Sequence, residues 1–241
     1  MSNFDEFDQQ GSVPRRDAIS IITHAFEMYK GVFLYAIIGI VIYAIGDFLL
    51  QTLTGTKHWS SFSNISDWKR DYTDMKYWES SNSSYYFSTN ILGILLSPLY
   101  VGLIYITNKF NNKATIEISD LFIGYRQNFL QIIFYTFLVD IILIISAFLC
   151  VVPMFLVFPL LLLGYPILLF ENKNAIDSIK KSVNIAKDHY SIFLGTGLLG
   201  LLISISGILA CCIGIIVTMP FIMVVMYSSY CAFLGKPRQI N

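Results

Sequence analysis

Six apolar runs, near 31–53, 89–107, 128–149, 151–170, 191–211 and 213–234, dominate this chain of 241 residues. Each reaches the roughly 20 residues that a helix needs to cross the hydrocarbon of a bilayer. Backbone in that medium must satisfy its own hydrogen bonds, so runs of this length are expected to be helices. The expected fold class is therefore all-α: a polytopic membrane protein with six transmembrane helices. Only 13% of the residues are charged, against about a quarter in soluble domains. Little chain is left over, and residues 1–241 are expected to form a single integral membrane domain. The opening stretch "MSNFDEFDQQGSVPR" is polar and acidic, without a short apolar core or a cleavage site. The first helix itself is then expected to direct insertion.

Net charge is zero, but the charges are unevenly placed. With the N-terminus in the cytoplasm, twelve of the sixteen Lys and Arg residues fall on the inner side. The other four, Lys57, Lys69, Arg70 and Lys76, share one long loop, where charge bias counts for less. Both termini are expected to be cytoplasmic.

A polar-faced segment, "NAIDSIKKSVNIAKDHY" at 174–190, interrupts two of the apolar runs. Ile176, Ile179, Val183, Ala186 and Tyr190 form one face of a helix. Asn174 is placed to cap it and Asp177 falls in the first turn, where a carboxylate suits the helix dipole. Lys180, Lys181 and Lys187 take the opposite face, the pattern of a helix lying in the membrane interface. Subtracting 157 gives the same stripe at Ile19, Ile22, Phe26, Tyr29 and Phe33, with Asp17 as cap and Lys30 matching Lys187. Subtracting 61 gives Thr115, Ile118, Phe122, Tyr125 and Phe129, with Arg126 matching Lys187 and a start as late as Ser119. Pro98, Pro159 and Pro220 also lie 61 apart, each in the second span of its pair. From basic residue to proline the distance is 33 residues in the second and third units and 68 in the first. The excess of 35 matches the polar stretch 54–88.

The expected organisation is three tandem repeats of amphipathic helix, span, span. Repeat 1 covers 17–108 with the external insertion 54–88, repeat 2 covers 115–170, and repeat 3 covers 174–235. All three face the same way, the parallel-repeat case with a pseudo-threefold axis near the membrane normal.

That count matches mitochondrial-type carriers, which carry an acidic and a basic residue just after the kink proline. Here "LYVGL", "LLLLG" and "FIMVV" follow the prolines without any charge, so the carrier reading fails. Through "SDLFIGYRQNF" and "NAIDSIKKSVNIAKDHYSIF", the chain resembles a bacterial family of six-helix inner-membrane proteins without assigned activity. That family is related to the membrane domain attached to some glycerophosphodiester phosphodiesterases. Ala175, Ser182 and Lys187 match the family's pattern, while Asp188 replaces its glycine; Lys30–Gly31 keeps the Lys–Gly pair in the first unit. The resemblance implies a bacterial inner (cytoplasmic) membrane location. It brings no phosphodiesterase activity, because that catalytic domain is absent from the sequence. Similar chains sometimes carry a carotenoid-oxygenase label, but those enzymes hold iron with four histidines and this chain has three.

Asp140 is the one ionisable residue deep in a span, about 18 Å along the third helix at 1.5 Å per residue. A charge at that depth costs at least ~2.5–3.5 kcal/mol and marks a candidate intramembrane functional site. The structural alternative is a protonated carboxyl bonded to a neighbouring hydroxyl. Pro98, Pro159 and Pro220 are expected helix kinks, each removing a backbone hydrogen bond. Lys30, Arg126 and Lys187 are candidate headgroup contacts, although topology determination accounts for them equally. Trp59, Trp68 and Trp78 all sit in the insertion and are candidates for an outer cap or partner contact, or for interface anchoring. Cys150 and Cys211 are 61 apart; an oxidising exterior would allow a disulfide, and buried thiols are the alternative.

No nucleophile elbow, phosphate loop or metal-spaced histidine pair occurs in the sequence. No metal, cofactor or catalytic residue is expected, and the chain is not expected to be an enzyme. The expected function is a lipid-associated or scaffolding role in the membrane. Expected partners are membrane lipids and another membrane protein, with no nucleic acid. The alternative is a transporter or permease for a small or amphipathic solute, using Asp140 and the kinked helices.

Overall fold

The computed structural model describes residues 11–54, 75–149, 151–210, 214 and 217–237. Every regular element among them is helical. The α-helices are α1 (Ala18–Thr54), α2 (Met75–Asn111), α3 (Ile123–Arg126), α4 (Phe129–Leu149), α5 (Val151–Val157), α6 (Gly164–Phe170), α7 (Ala175–Asp188), α8 (Tyr190–Ser206) and α9 (Phe221–Leu234). Short 3-10 turns cover Ile118–Phe122, Phe158–Leu161 and Gly207–Ala210. Two compact units arise, one from the described residues up to Gly39 together with those from Ser97 onward, the other from Ile40–Leu96.

Among the described residues, four helices are long and apolar enough to cross a membrane: Ala18–Leu53, Phe87–Asn111, Phe129–Leu149 and Val152–Phe170. The count is five if α7 and α8, bent by 108°, form one broken span. The last apolar run holds α9, a helix of 14 residues. On α4, Leu130, Phe148 and Leu149 are each more than three-quarters exposed. Water would penalise such side chains by about 1.5–3 kcal/mol each relative to burial, whereas acyl chains do not. These are the helices of a membrane protein.

The three expected entry helices take three different forms. In the third, α7 is a separate amphipathic helix that buries Ala175, Ser178, Ser182 and Ala186. Asn174 holds the N-cap backbone position without a side-chain cap bond. Gln131 of α4 caps instead, its Oε1 accepting from Ala175 N–H at 3.0 Å. The first copy runs straight into the first span as α1, 37 residues without a break, because no proline or cap interrupts 29–33. Asp17 does cap it, accepting from Ser20 N–H at 2.9 Å. That backbone bond, the Ser20 hydroxyl and Arg15 hold the Asp17 carboxyl below its ordinary value. The second copy shrinks to the 3-10 turn and the four residues of α3. Lys109 at the end of α2 pins that turn through Asp120 at 2.7 Å.

The larger unit has one apolar core drawn from α2, α4, α6, α8 and α9, including Ile104, Ile132, Leu162, Ile167, Phe193 and Tyr227. The smaller unit pairs the second half of α1 with the first half of α2 around Gly46, whose missing side chain admits Leu92 at 3.3 Å.

Candidate functional site

The prolines behave differently from one another. Pro98 lies inside the continuous α2 and is buried against Gly124, where a Cβ would meet its carbonyl oxygen at 2.5 Å. Pro220 occupies the N-cap of α9. Pro159 sits in the 3-10 turn that separates α5 from α6, and there the backbone needs outside partners. Three side-chain bonds supply them. Ser182 of α7 donates to Leu160 O at 2.6 Å and accepts from Leu163 N–H at 3.2 Å. Tyr135 of α4 donates to Leu161 O at 3.1 Å. Orphaned peptide groups in an apolar medium are expensive, so these hydroxyls make the break tolerable. Ser182, matched to the family pattern in sequence, has a structural role here. Gly164 lets the Tyr135 ring approach, since a Cβ would lie 1.8 Å from its hydroxyl.

Asp140 is partly buried on α4, one turn beyond Thr136. The hydroxyls of Thr136 and Tyr165 share a hydrogen bond of 2.9 Å. Asp140 and Tyr100 both act electrostatically on Tyr165. The half-buried carboxyl lies at the edge of the core, near the Thr136–Tyr165 pair. Lys30, Arg126 and Lys187 are exposed. Trp78 falls in the first turns of α2, while Trp59 and Trp68 lie outside the described residues. Cys150 and Cys211 also lie outside them.

A cavity of about 570 Å³ opens along the start of α7, lined by Lys173, Lys180, Lys181, Asp177, Asn172 and Asn174, among others. Glu171 pairs with Lys181 at 2.6 Å and with Lys173 at 3.2 Å. No set of three His, Cys, Asp or Glu among the described residues could hold a metal ion.

The densest polar cluster is one that the sequence does not flag. It joins residues 11–16, the start of α1, the end of α2 and the middle of α9. His24 is 5% exposed and Tyr227 fully buried. The His24 Nδ1 lies 2.9 Å from Ser228 Oγ, and its Nε2 lies 3.1 Å from Ser12 O and 3.0 Å from Ser12 Oγ. A carbonyl can only accept, so in the neutral ring Nε2 carries the proton and Nδ1 accepts from Ser228. Asn111 donates through Nδ2 to Ser12 O and to Tyr227 OH, both at 2.9 Å, and accepts from Ser12 N–H at 2.8 Å. Tyr227 in turn donates to Asn108 Oδ1 at 3.1 Å. The only available sequence signal is Asn108 and Asn111 sharing a helix face. Polar residues are ordinary at the end of a span, so that signal carries no anomaly.

Comparison with protein families, with curated proteins and with solved structures finds no match to this chain.

Proposed function

We propose that the chain is a six-span, pseudo-threefold protein of the bacterial inner membrane, with both termini cytoplasmic and a lipid-associated, non-catalytic role. The observation that carries this reading is α7. It is amphipathic, is set at 108° to the apolar helix that follows, and buries its small face. Lys180 and Lys187 are left exposed. A basic helix with that attitude suits the plane of a headgroup layer. The lysine-lined cavity at its start suits a phosphate-bearing headgroup.

Recurring contacts support the threefold reading. Gly102 of α2 meets the backbone of Leu121. Residues 61 later in each case, Leu163 and Ser182, are hydrogen-bonded. Phe221 of α9 packs on Phe26 and Tyr29 of α1, which brings together the same two kinds of element from the third and first units through other residues. Each entry element thus leans on the second span of the preceding unit, as a closed ring of three requires. The relation to the membrane domain of glycerophosphodiester phosphodiesterases rests on the sequence motifs.

Native mass spectrometry from nanodiscs of mixed neutral and anionic lipid tests the role. Replacing Lys30, Arg126 and Lys187 with Gln is expected to lower retained anionic lipid roughly a hundredfold, at about 1 kcal/mol per basic residue. Equal retention by wild type and variant, or of neutral and anionic lipid, sinks the reading.

A second reading, transport of a small or amphipathic solute, is favoured by the half-buried Asp140, one turn beyond Thr136 of the Thr136–Tyr165 pair. It requires solute flux in proteoliposomes that Asp140→Asn abolishes.

A further inference from the structure

Residues 11–16 have no regular secondary structure of their own, yet side chains read them as if they were a bound peptide. Every polar group of Ser12 is engaged. Its N–H donates to Asn111 Oδ1 at 2.8 Å and its carbonyl accepts from Asn111 Nδ2 at 2.9 Å. One carboxamide thus pairs with both sides of a single residue's backbone. His24 adds contacts to the same carbonyl and to the Ser12 hydroxyl. Four residues on, Arg16 Nε donates to Ala232 O at 3.1 Å, and its guanidinium lies 5.7 Å from the Phe233 ring centroid. At the other end Gly11 packs on Asn111 O, Asn112 and Lys236, where a Cβ would come within 3.1–3.2 Å of each.

The reading groups are themselves fixed from below. Tyr227 and Asn108 hold Asn111, and Ser228 holds His24. A pre-set amide and imidazole, aimed at main-chain atoms, form a recognition site for extended peptide. A surface segment usually leaves its backbone to water; this one is tied to three helices.

We propose that residues 11–16 are a strap, an internal peptide ligand that closes this end of the larger unit over the buried Asn108, Tyr227 and Ser228 side chains. The strap is released as one piece when the Asn111 pairing is lost. A cavity of about 530 Å³, lined by Ser12, Met28, Phe110, Asn111, Lys113 and Ala114, opens beside that pairing. A binding event there acts on the two hydrogen bonds that hold the strap.

Hydrogen–deuterium exchange of the full-length protein in nanodiscs tests the strap, with alkylation of Cys231 by N-ethylmaleimide as a second readout. Cys231 is fully buried on α9, one turn after Tyr227 and next to Ala232, whose carbonyl accepts from Arg16. In the wild type, the Ser12 amide is expected to be protected through its bond to Asn111 and Cys231 unreactive. Asn111→Leu is expected to speed strap exchange roughly tenfold, as loss of two modest hydrogen bonds predicts. Protection of residues 221–234 is expected to remain. Ser12→Pro deletes the donated N–H from the strap side alone, and so decides the matter should Asn111→Leu unfold the bundle. Raised Cys231 alkylation in Ser12→Pro supports the proposal. A Ser12 amide already unprotected in the wild type overturns it, as does Cys231 left unreactive in Ser12→Pro.

Discussion

Two polar regions of the larger unit differ in what holds them together. Around Asp140 there is one carboxyl, a single hydroxyl–hydroxyl bond between Thr136 and Tyr165, and electrostatic coupling to Tyr165. Around His24 there is no formal charge in the neutral state, but Ser12, Asn108, Asn111, Tyr227 and Ser228 exchange a continuous set of hydrogen bonds. A lone half-buried carboxyl at membrane depth lowers stability and is retained for another reason or by neutralisation. A satisfied neutral network does the opposite: it fixes the relative positions of the elements that supply its members. The second region is built to hold one conformation.

The largest effect that would sharpen this contrast is expected at Tyr227. Tyr227→Phe removes two hydrogen bonds from the middle of the network and leaves one Asn111 Nδ2 hydrogen unpaired, while Asn111 keeps Ser12 O and Asn108 Oδ1 keeps Asn112. The unpaired donor costs about 1–3 kcal/mol, so thermal unfolding in detergent should show a clear loss. An unchanged melting temperature would break the comparison, because the network would then not be holding the fold. Ser182→Ala comes next, at about 1–3 kcal/mol for each of Leu160 O and Leu163 N–H that finds no substitute partner. Its exchange protection should fall locally at 158–163, separating a patched helix break from a network that spans elements. Asp140→Asn should change stability by less than about 1 kcal/mol or raise it, since a charge at depth is itself unfavourable. A large destabilisation there would mean that the carboxyl is a structural member like Asn111.

The smallest effect is at Asp17. Its carboxyl is held below the ordinary value of about 3.9, so its capping contribution is complete above that pH. It is lost as the pH falls through the lower value reached in the folded protein. Exchange of the Ser20 amide should quicken in acid in the wild type, beyond the intrinsic pH trend. Asp17→Asn should lose that added dependence while keeping an acceptor.

Much of the local structure was legible in advance. The helix of α7 follows from the spacing of Ile176, Ile179, Val183 and Ala186, and the structure gives it over Ala175–Asp188; the face it buries is a different one, Ala175, Ser178, Ser182 and Ala186, with Ile176 49% exposed. Asp17 caps as a carboxylate before a helix should. Other expectations changed form once neighbours were present. Asn174 is replaced as a capping side chain by Gln131, a residue 43 positions earlier. The first entry helix fuses with its span, since nothing in 29–33 makes ending a helix cheaper than continuing it. Gly31 instead admits the Phe110 ring, which a Cβ would overlap at 2.0 Å. Three prolines at equal spacing give three outcomes because a missing N–H matters only where no other group satisfies the carbonyl it leaves.

By itself, then, the sequence determined the medium and the class. Runs of about 20 apolar residues require helices in a bilayer whatever the packing, and local periodicity decides which short helices are amphipathic. Asp140 stood out for the same local reason, as a charge where the neighbours are all apolar. Only the tertiary structure decided which polar groups meet. Ser12 and Asn111 are 99 residues apart, and His24 and Ser228 are 204 apart. None of the four is unusual for its own segment. Hydrogen bonds are made between positions in space, and a pattern confined to one helix carries no record of what another helix brings to it.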